Sequence, residues 1–247
     1  MSSLNQKLIT LATKVGLFPN IVFIRIPHKI HEFKEVEKNI TFLETDNVLD
    51  LGCGPGIQTL CLGKKCRHII GLDVEESAVR RAKHFSSKIG EKISSEFICG
   101  SLEEAAFPND HFDKVFSICV IEHISNYEEV INEIYRILKP GGVFVFSVDS
   151  LATIDSLLLR NKHKQNYGIQ KYFSINELSQ ILGKNGFKNI HVNPILKSEF
   201  AKKIFSKGIK NDFKIQWTFM LDYLWLSLNE KRSKNTEGIF IVAKGTK

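Results

Sequence analysis

Apolar runs of strand length alternate with apolar stripes of helical spacing over most of the chain. Residues 48–51, 69–72, 96–100, 112–120 and 143–148 are short, dense runs of the kind that buried strands make. Helical stretches lie between them. Residues 57–62 follow a glycine-rich turn, and residues 73–87 open with Asp73-Val74-Glu75-Glu76, the Asp-x-x-Glu spacing of a capping box. Ser125-Asn126-Tyr127-Glu128 has the same spacing, and behind it Tyr127, Val130, Ile131, Ile134 and Leu138 share one helical face. Lys139-Pro140-Gly141-Gly142 stops that helix. Strand and helix in alternation predict an open, mostly parallel sheet covered on both faces.

The pattern changes at both ends. Leu4, Leu8, Leu11 and Val15 have helical spacing, Pro19 and Pro27 interrupt, and residues 31–43 read as a helix carrying Phe33, Val36, Glu37, Ile40 and Leu43. Ser174-Ile175-Asn176-Glu177 caps a helix that Gly186 ends, and strands follow at 187–192 and 238–243. Residues 212–228 carry Phe213, Trp217, Met220 and Leu224 on one face and Phe219, Tyr223 and Leu226 on another. A helix apolar on most sides wants partners on more than one side. The sheet and the 149–173 segment would supply them. A hydrophobic substrate pocket or peripheral contact with a membrane is the alternative, with Lys202, Lys203, Lys207, Lys210 and Lys214 just upstream.

The stretch that organises the rest is Val48-Leu49-Asp50-Leu51-Gly52-Cys53-Gly54-Pro55-Gly56, a strand running into a turn. Gly52, Gly54 and Gly56 let the backbone turn sharply and approach a ligand with no Cβ in the way. In an open parallel sheet, ligands bind outside such strand ends. The spacing is Gly-x-Gly-x-Gly, not the Gly-x-Gly-x-x-Gly of a pyrophosphate cradle. Asp50, two residues before the first glycine, would repel a pyrophosphate and attract an ammonium. Asp73 closes the second strand, where an acidic residue meets ribose hydroxyls. A glycine loop, a carboxylate for an ammonium and another for a ribose suit S-adenosylmethionine (SAM) better than NAD.

Residues 48–56 resemble motif I of the class I SAM-dependent methyltransferases. Ile70-Gly71-Leu72-Asp73 resembles that family's second-strand acidic motif, residues 107–115 the approach to its fourth strand, and Arg136-Ile137-Leu138-Lys139-Pro140-Gly141-Gly142 its turn into the fifth. The match runs from about residue 35 to 192, with a closing strand near 240. It implies a Rossmann-like fold: a seven-stranded, mostly parallel sheet, helices on both faces, an antiparallel last strand and helical substrate-side insertions. The strands at 187–192 and 238–243 would both pair antiparallel with the sheet. The implied segments are an N-terminal helical lid at 1–45, a SAM-binding core at 46–148, a substrate-side insertion at 149–173, a core helix and strand at 174–193, a helical insertion at 194–237 and the last strand and tail at 238–247.

The implied cofactor contacts are Asp50, Gly52, Cys53, Gly54, Gly56, Asp73, Val74, Ser101, Leu102 and Cys119. Where the family usually has an acidic residue for the adenine amino group, this chain has Ser101, with Glu103 two residues on. Cys119 to His123 follow the fourth strand and should face the ligand, as should Asp149 after the fifth. His123 is the candidate general base, which helps when the acceptor is a hydroxyl. His28, His31, His163 and His191 carry less support. The implied activity is methyl transfer from SAM to a small-molecule or lipid-like acceptor, releasing S-adenosylhomocysteine. RNA methylation, a non-catalytic SAM-binding adaptor and a nicotinamide oxidoreductase are the alternatives. Cys119-Val120-Ile121-Glu122 stands where base-amino methyltransferases of this fold often carry Asn-Pro-Pro-Tyr, which counts against RNA.

Composition adds one thing. The net charge is +7, yet residues 155–247 alone carry about +10 and residues 1–154 about −3. The basic excess follows the glycine-loop half and favours an anionic partner such as a phosphorylated or carboxylated substrate, a lipid headgroup or RNA, with a solvated lysine-rich surface as the alternative. The five cysteines form no Cys-x-x-Cys pair, and no charge-free run reaches the roughly 18 apolar residues of a spanning helix. With no apolar leader at the N-terminus, these features suit a reduced, cytoplasmic protein that holds no metal.

Overall fold

The computed structural model describes residues 3–15, 17–19, 24–213 and 218–247. The helices are α1 (Ser3–Lys14), α2 (Pro27–Asn39), α3 (Ile57–Gly63), α4 (Glu76–Ile89), α5 (Tyr127–Ile137), α6 (Leu157–Tyr167), α7 (Ile175–Lys184), α8 (Glu199–Lys210) and α9 (Phe219–Arg232). The strands are β1 (Asn47–Leu51), β2 (His68–Asp73), β3 (Ser95–Cys99), β4 (Phe112–Ile118), β5 (Leu138–Asp149), β6 (Lys188–Ile195) and β7 (Phe240–Thr246). They form one sheet in the order β3-β2-β1-β4-β5-β7-β6. Strands β1 to β5 pair in parallel, and β7 is antiparallel to both of its neighbours. It follows that β6 runs with the parallel strands. Of the two closing strands, only β7 runs against the sheet.

Strand alternation divides the core in two. In β5, Val145 packs with Val36, Leu60 and Phe85 on the face covered by α1–α4, α8 and α9. Its neighbours Phe144, Phe146 and Val148 pack with Ile134, Leu178 and Leu182 on the face covered by α5 and α7. The chain reverses its strand order between β1 and β4, so the C-terminal ends of these two strands flank the crevice.

Several local expectations shift. Pro27 begins α2 rather than breaking a helix, because its missing N–H costs nothing in a first turn. Helix α2 therefore ends at Asn39, and Leu43 lies outside it, exposed. The capping box of Ser174 and Glu177 forms, and Gly186 follows with φ +90°. The one at Asp73 does not: α4 begins at Glu76, and the Asp73 carboxylate is shared between the glycine loop and the Glu75 N–H. Nor does the one at Ser125, where Asn126 precedes α5 with no side-chain cap.

Two apolar stripes face outward. In α1 Ile9 and Ala12 are buried, while Leu8 and Leu11, and Val15 just past its end, are exposed. Helix α9 begins only at Phe219, Asp212 and Phe213 sit in a turn with φ near +50°, and Trp217 falls outside the described residues. It packs on α2 and α8 rather than on the sheet, and Leu226 is its buried residue.

Candidate functional site

The turn after β1 is held from two sides. Gly52 has φ +75°, and a Cβ there would stand 2.2 Å from a methyl of Val120, so only glycine fits against the strand end of β4. Gly54 also has a positive φ, +53°, but a Cβ there would meet nothing within 4 Å. Gly52 is thus required by packing, whereas Gly54 borders open space where a ligand can approach the backbone. Gly56 packs on Ala82 and Phe97 at the start of α3, and Cys53 is buried beside the loop. Burial pushes the Cys53 thiol up, with the Asp50 and Asp73 charges adding to the rise.

Asp73 stitches this turn to β2. One carboxylate oxygen accepts the Gly54 N–H at 2.7 Å and the other accepts the Glu75 N–H at 2.8 Å. Val74 next to it is 75% exposed, an apolar side chain that its own fold leaves uncovered. Asp50 lies deeper: it is buried and accepts the Thr59 hydroxyl of α3 at 2.6 Å. Burial pushes its carboxyl up to about 7, against the Thr59 hydrogen bond, with Asp73 adding to the rise.

After β3, Ser101 and Glu104 satisfy each other: the Ser101 N–H donates to the carboxylate at 2.9 Å and the Ser101 hydroxyl accepts the Glu104 N–H at 3.2 Å. Glu103 accepts from Asn126 instead, at 3.5 Å. Leu102 places its side chain in the core.

The ends of β4 and β5 hold a second cluster, closed from above by α2. Cys119 has φ +52°, an uncommon conformation for a residue with a Cβ. Its thiol donates to Glu32 at 2.7 Å and accepts from the Lys29 ammonium at 2.9 Å. Glu32 is fully buried, accepts the Ser147 hydroxyl at 2.6 Å and pairs with Lys29 at 2.9 Å. Asp149 lies 3.8 Å from both the Cys119 sulfur and His163 Nε2. His163 in turn meets the Tyr172 hydroxyl at 3.1 Å through Nδ1. Glu122 is buried, and neither carboxylate oxygen has a hydrogen-bond partner among the described residues.

Charge in this cluster is governed by burial. It raises Glu122 well above the usual carboxylate range, the Asp149 charge adding to the effect. It pushes Asp149 up to about 7, although Lys29 pulls the other way. His163 is lowered to about 4 by burial and then by Lys29, so its imidazole is neutral at physiological pH. Burial works against the Lys29 ammonium too, but Cys119, Glu32 and Asp149 outweigh it and hold its pKa well above the ordinary value. Cys119, Glu122 and Asp149 bring ligand atoms within 4.8 Å of one another, a metal-sized group, but the Lys29 ammonium already supplies the cation beside that sulfur.

The glycine loop, Asp73 and Val74 thus border one end of the crevice, and Cys119, Glu122 and Asp149 the other. His123 lies exposed at the rim, its Nδ1 3.4 Å from the Gly168 carbonyl, and partial burial lowers its pKa. Of the remaining histidines, His28 is buried among Phe205, Phe213 and Phe240, and His31 packs near Glu35. Lys29, Glu32 and Tyr172 were not among the residues singled out from sequence. The signal for Glu32 was its register: it shares a helical stripe with His28 and Val36, all three buried.

A doubly wound sheet with a glycine turn and an acidic residue at the next strand end defines a Rossmann-like cofactor-binding domain of the class I methyltransferase type. The methyltransferase domain family matches residues 49–146 of the chain. The sterol 24-C-methyltransferase of Pneumocystis carinii is 35% identical over 169 residues, covering 60% of this chain and 41% of that protein. That of Eremothecium gossypii is 32% identical over 158 residues, covering 58% and 40%. The chain spans about two fifths of the length of these relatives. Among solved structures, phosphoethanolamine N-methyltransferase 2 of Haemonchus contortus in complex with SAM superposes with a TM-score of 0.67 at 18% identity, covering 96% of this chain and 56% of that one. The [4+2]-cyclase SpnF superposes with a TM-score of 0.64 at 16% identity, covering 87% and 80%.

SAM is the cofactor of this domain type, and the residues present fit it. Gly54 leaves space at the loop, Asp73 offers carboxylate oxygens beside that space, and Val74 offers an uncovered apolar surface next to Asp73.

Proposed function

We propose that the protein methylates a lipid-like small-molecule acceptor, using SAM held between the β1 turn and the end of β2. The observation that carries this reading is the open flank of Gly54 beside the Asp73 carboxylate and the exposed Val74. When bound, SAM supplies a methyl group already activated by its sulfonium. Asp73 holds the ribose hydroxyls, Val74 covers the adenine face, and Gly52, Cys53, Gly54 and Gly56 shape the loop around the amino-acid end. Asp50, beneath that loop, supplies the counter-charge to the ammonium. Ser101 and Leu102 border the adenine, and Cys119 borders the methyl-bearing end.

The protein's task is to align the acceptor and keep water out. Alignment alone is worth about 7–11 kcal/mol of barrier in well-oriented reactions. Helix α2 excludes water by closing over Cys119 and Ser147 through Glu32. Asp149 is the proton acceptor in this reading. Its pKa of about 7 lets it take a proton from an acceptor group near neutral pH, and neutral His163 stands 3.8 Å away. It is favoured over His123, which is exposed at the rim. The lipid-like acceptor is supported by the sterol methyltransferases that match at 35% and 32% identity.

Calorimetric titration with SAM, S-adenosylhomocysteine and NAD tests the cofactor. The first two should bind and NAD should not. Asp73→Asn, which keeps one acceptor for the loop N–H groups, should weaken SAM by about 10- to 100-fold. Well-folded protein that binds neither SAM nor its product would sink the reading. Transfer of labelled methyl groups to sterols and other lipids then tests the acceptor. SAM binding without transfer to any acceptor would favour a binding role, or a reaction of the SpnF kind on this fold.

A further inference from the structure

Helix α9 wears its apolar residues on the outside. Met220, Leu221, Leu224, Trp225 and Leu228 are between 48% and 61% exposed. Their spacing, i, i+1, i+4, i+5 and i+8, places them on one stripe more than two turns long. The inward side is the more polar one. Leu226 is buried there, and the Glu230 carboxylate accepts the N–H groups of Lys197 and Ser198, both at 2.8 Å, at the start of α8. Leu226 and these polar contacts dock the helix, while its hydrophobic stripe stays about half exposed. Helix α6, which also packs on α8, begins with Leu157 and Leu158, 72% and 79% exposed.

Basic groups bracket the stripe. At its N-terminal end a cavity of about 270 Å³ opens between α2, α8 and α9. Arg25, Lys203 and Lys207 line it, with Asp222 as its acidic group and Phe219 as part of its wall. The Arg25 guanidinium lies 5.8 Å from the centre of the Phe219 ring, and Asp222 accepts the Thr218 hydroxyl at 2.9 Å. At the other end α9 finishes in Lys231 and Arg232. An apolar stripe with a tryptophan and cations at both ends is the chemistry of an interfacial helix.

We propose that α9 lies on an anionic bilayer, its Met220-to-Leu228 stripe in the interface and the Arg25–Lys203–Lys207 cavity holding a lipid phosphate head group. Charge complementarity selects this occupant. A second copy meeting the stripe across a two-fold axis would bring the same cations face to face. A nucleic acid would pair with the cations but leave the stripe uncovered. The docking stands apart from the methyl-transfer reading, since it needs neither SAM nor an acceptor.

The full chain is spun with sucrose-loaded vesicles of phosphatidylcholine alone and of phosphatidylcholine mixed with phosphatidylserine. It should sediment with the mixed vesicles and stay in solution with the neutral ones. Each of Lys203→Ala and Lys207→Ala should weaken vesicle binding about fivefold. Leu224→Glu should abolish it while the melting temperature holds, since that side chain is more than half exposed. Failure to sediment with either vesicle would overturn the proposal, as would equal binding to both. So would a vesicle-independent dimer, seen by light scattering, that Leu224→Glu splits. Because the assay contains no SAM, loss of the cofactor reading would leave these results intact.

Discussion

Gly52 and Gly54 have the same sign of φ and different jobs. Gly52→Ala forces a Cβ to 2.2 Å from Val120 and should destabilise the fold by about 2–3 kcal/mol. Gly54→Ala meets no atom within 4 Å, so its folding cost is the strain of a left-handed alanine, about 1 kcal/mol. The new methyl group would instead occupy the ligand's approach. Urea melts and SAM titrations of the two variants should separate: the first loses midpoint, the second loses affinity. Asp149 offers a second residue-level test. The native state holds a proton on it up to about pH 7, whereas the unfolded chain releases that proton near 4. The folded state therefore binds more protons between these values, and stability falls as pH rises across that window. Asp50, also at about 7, contributes the same sign. The urea midpoint should drop between about pH 5 and 7.5 in the native protein and drop less in Asp149→Asn. An equal drop would mean that Asp149 is charged throughout. Glu32 is the residue whose loss should be felt most. Glu32→Ala removes the ion-pair partner of the Lys29 ammonium and the acceptor of the Ser147 hydroxyl, a change expected to cost about 3 kcal/mol in denaturant.

At the scale of elements, the stripe of α5 was legible because its partner is the sheet, and Val130, Ile131 and Ile134 are all buried; Leu138, expected on the same helical face, instead opens β5, which runs through residues 139–142. Helices α1 and α9 carry stripes just as regular, yet theirs point outward. Period reports that a helix has an apolar side, and says nothing of what covers it. The two unformed capping boxes have a related cause. Asp-x-x-Glu at residue 73 is a sound local motif, but one oxygen of that carboxylate accepts the N–H of Gly54, distant in sequence, and the other that of Glu75, so the helix starts three residues later. Local spacing cannot register such a competitor. The glycine loop and Asp73 were legible because both depend on short-range spacing, whereas the Glu32–Cys119 contact joins residues 87 apart and depends on how α2 docks. Where the motif did form, it can be tested: Ser174→Ala removes the cap of α7 and should lower stability by about 1 kcal/mol, read as a shift in the urea midpoint.

For the molecule as a whole, the basic excess of residues 155–247 is partly spent in ion pairs. Lys162, Lys171, Lys184, Lys202 and Lys247 each contact a carboxylate. Lys203 and Lys207 gather with Arg25 at the cavity beside α9. Among the described residues no helix is long and apolar enough to cross a membrane. A cofactor that binds only the folded chain should also stabilise all of it. At about a hundred times its dissociation constant SAM adds roughly 2.7 kcal/mol, which for a domain of this size raises the melting temperature by about 5–10 °C. NAD at the same concentration should leave it unchanged.

The insertion of β7 between β5 and β6 sets an order of events during synthesis. As the chain leaves the ribosome, β5 emerges nearly a hundred residues ahead of the strand that will cover its edge, and β6 emerges with no neighbour to pair with at all. Until Phe240–Thr246 appears, the nascent domain presents a long, phenylalanine-rich strand with its outer row of N–H and C=O groups unmatched. Chaperone demand should therefore peak late in translation. A ribosome stalled before residue 240 would hold a five-stranded platform with its glycine loop already formed and one edge still open to the wrong partner.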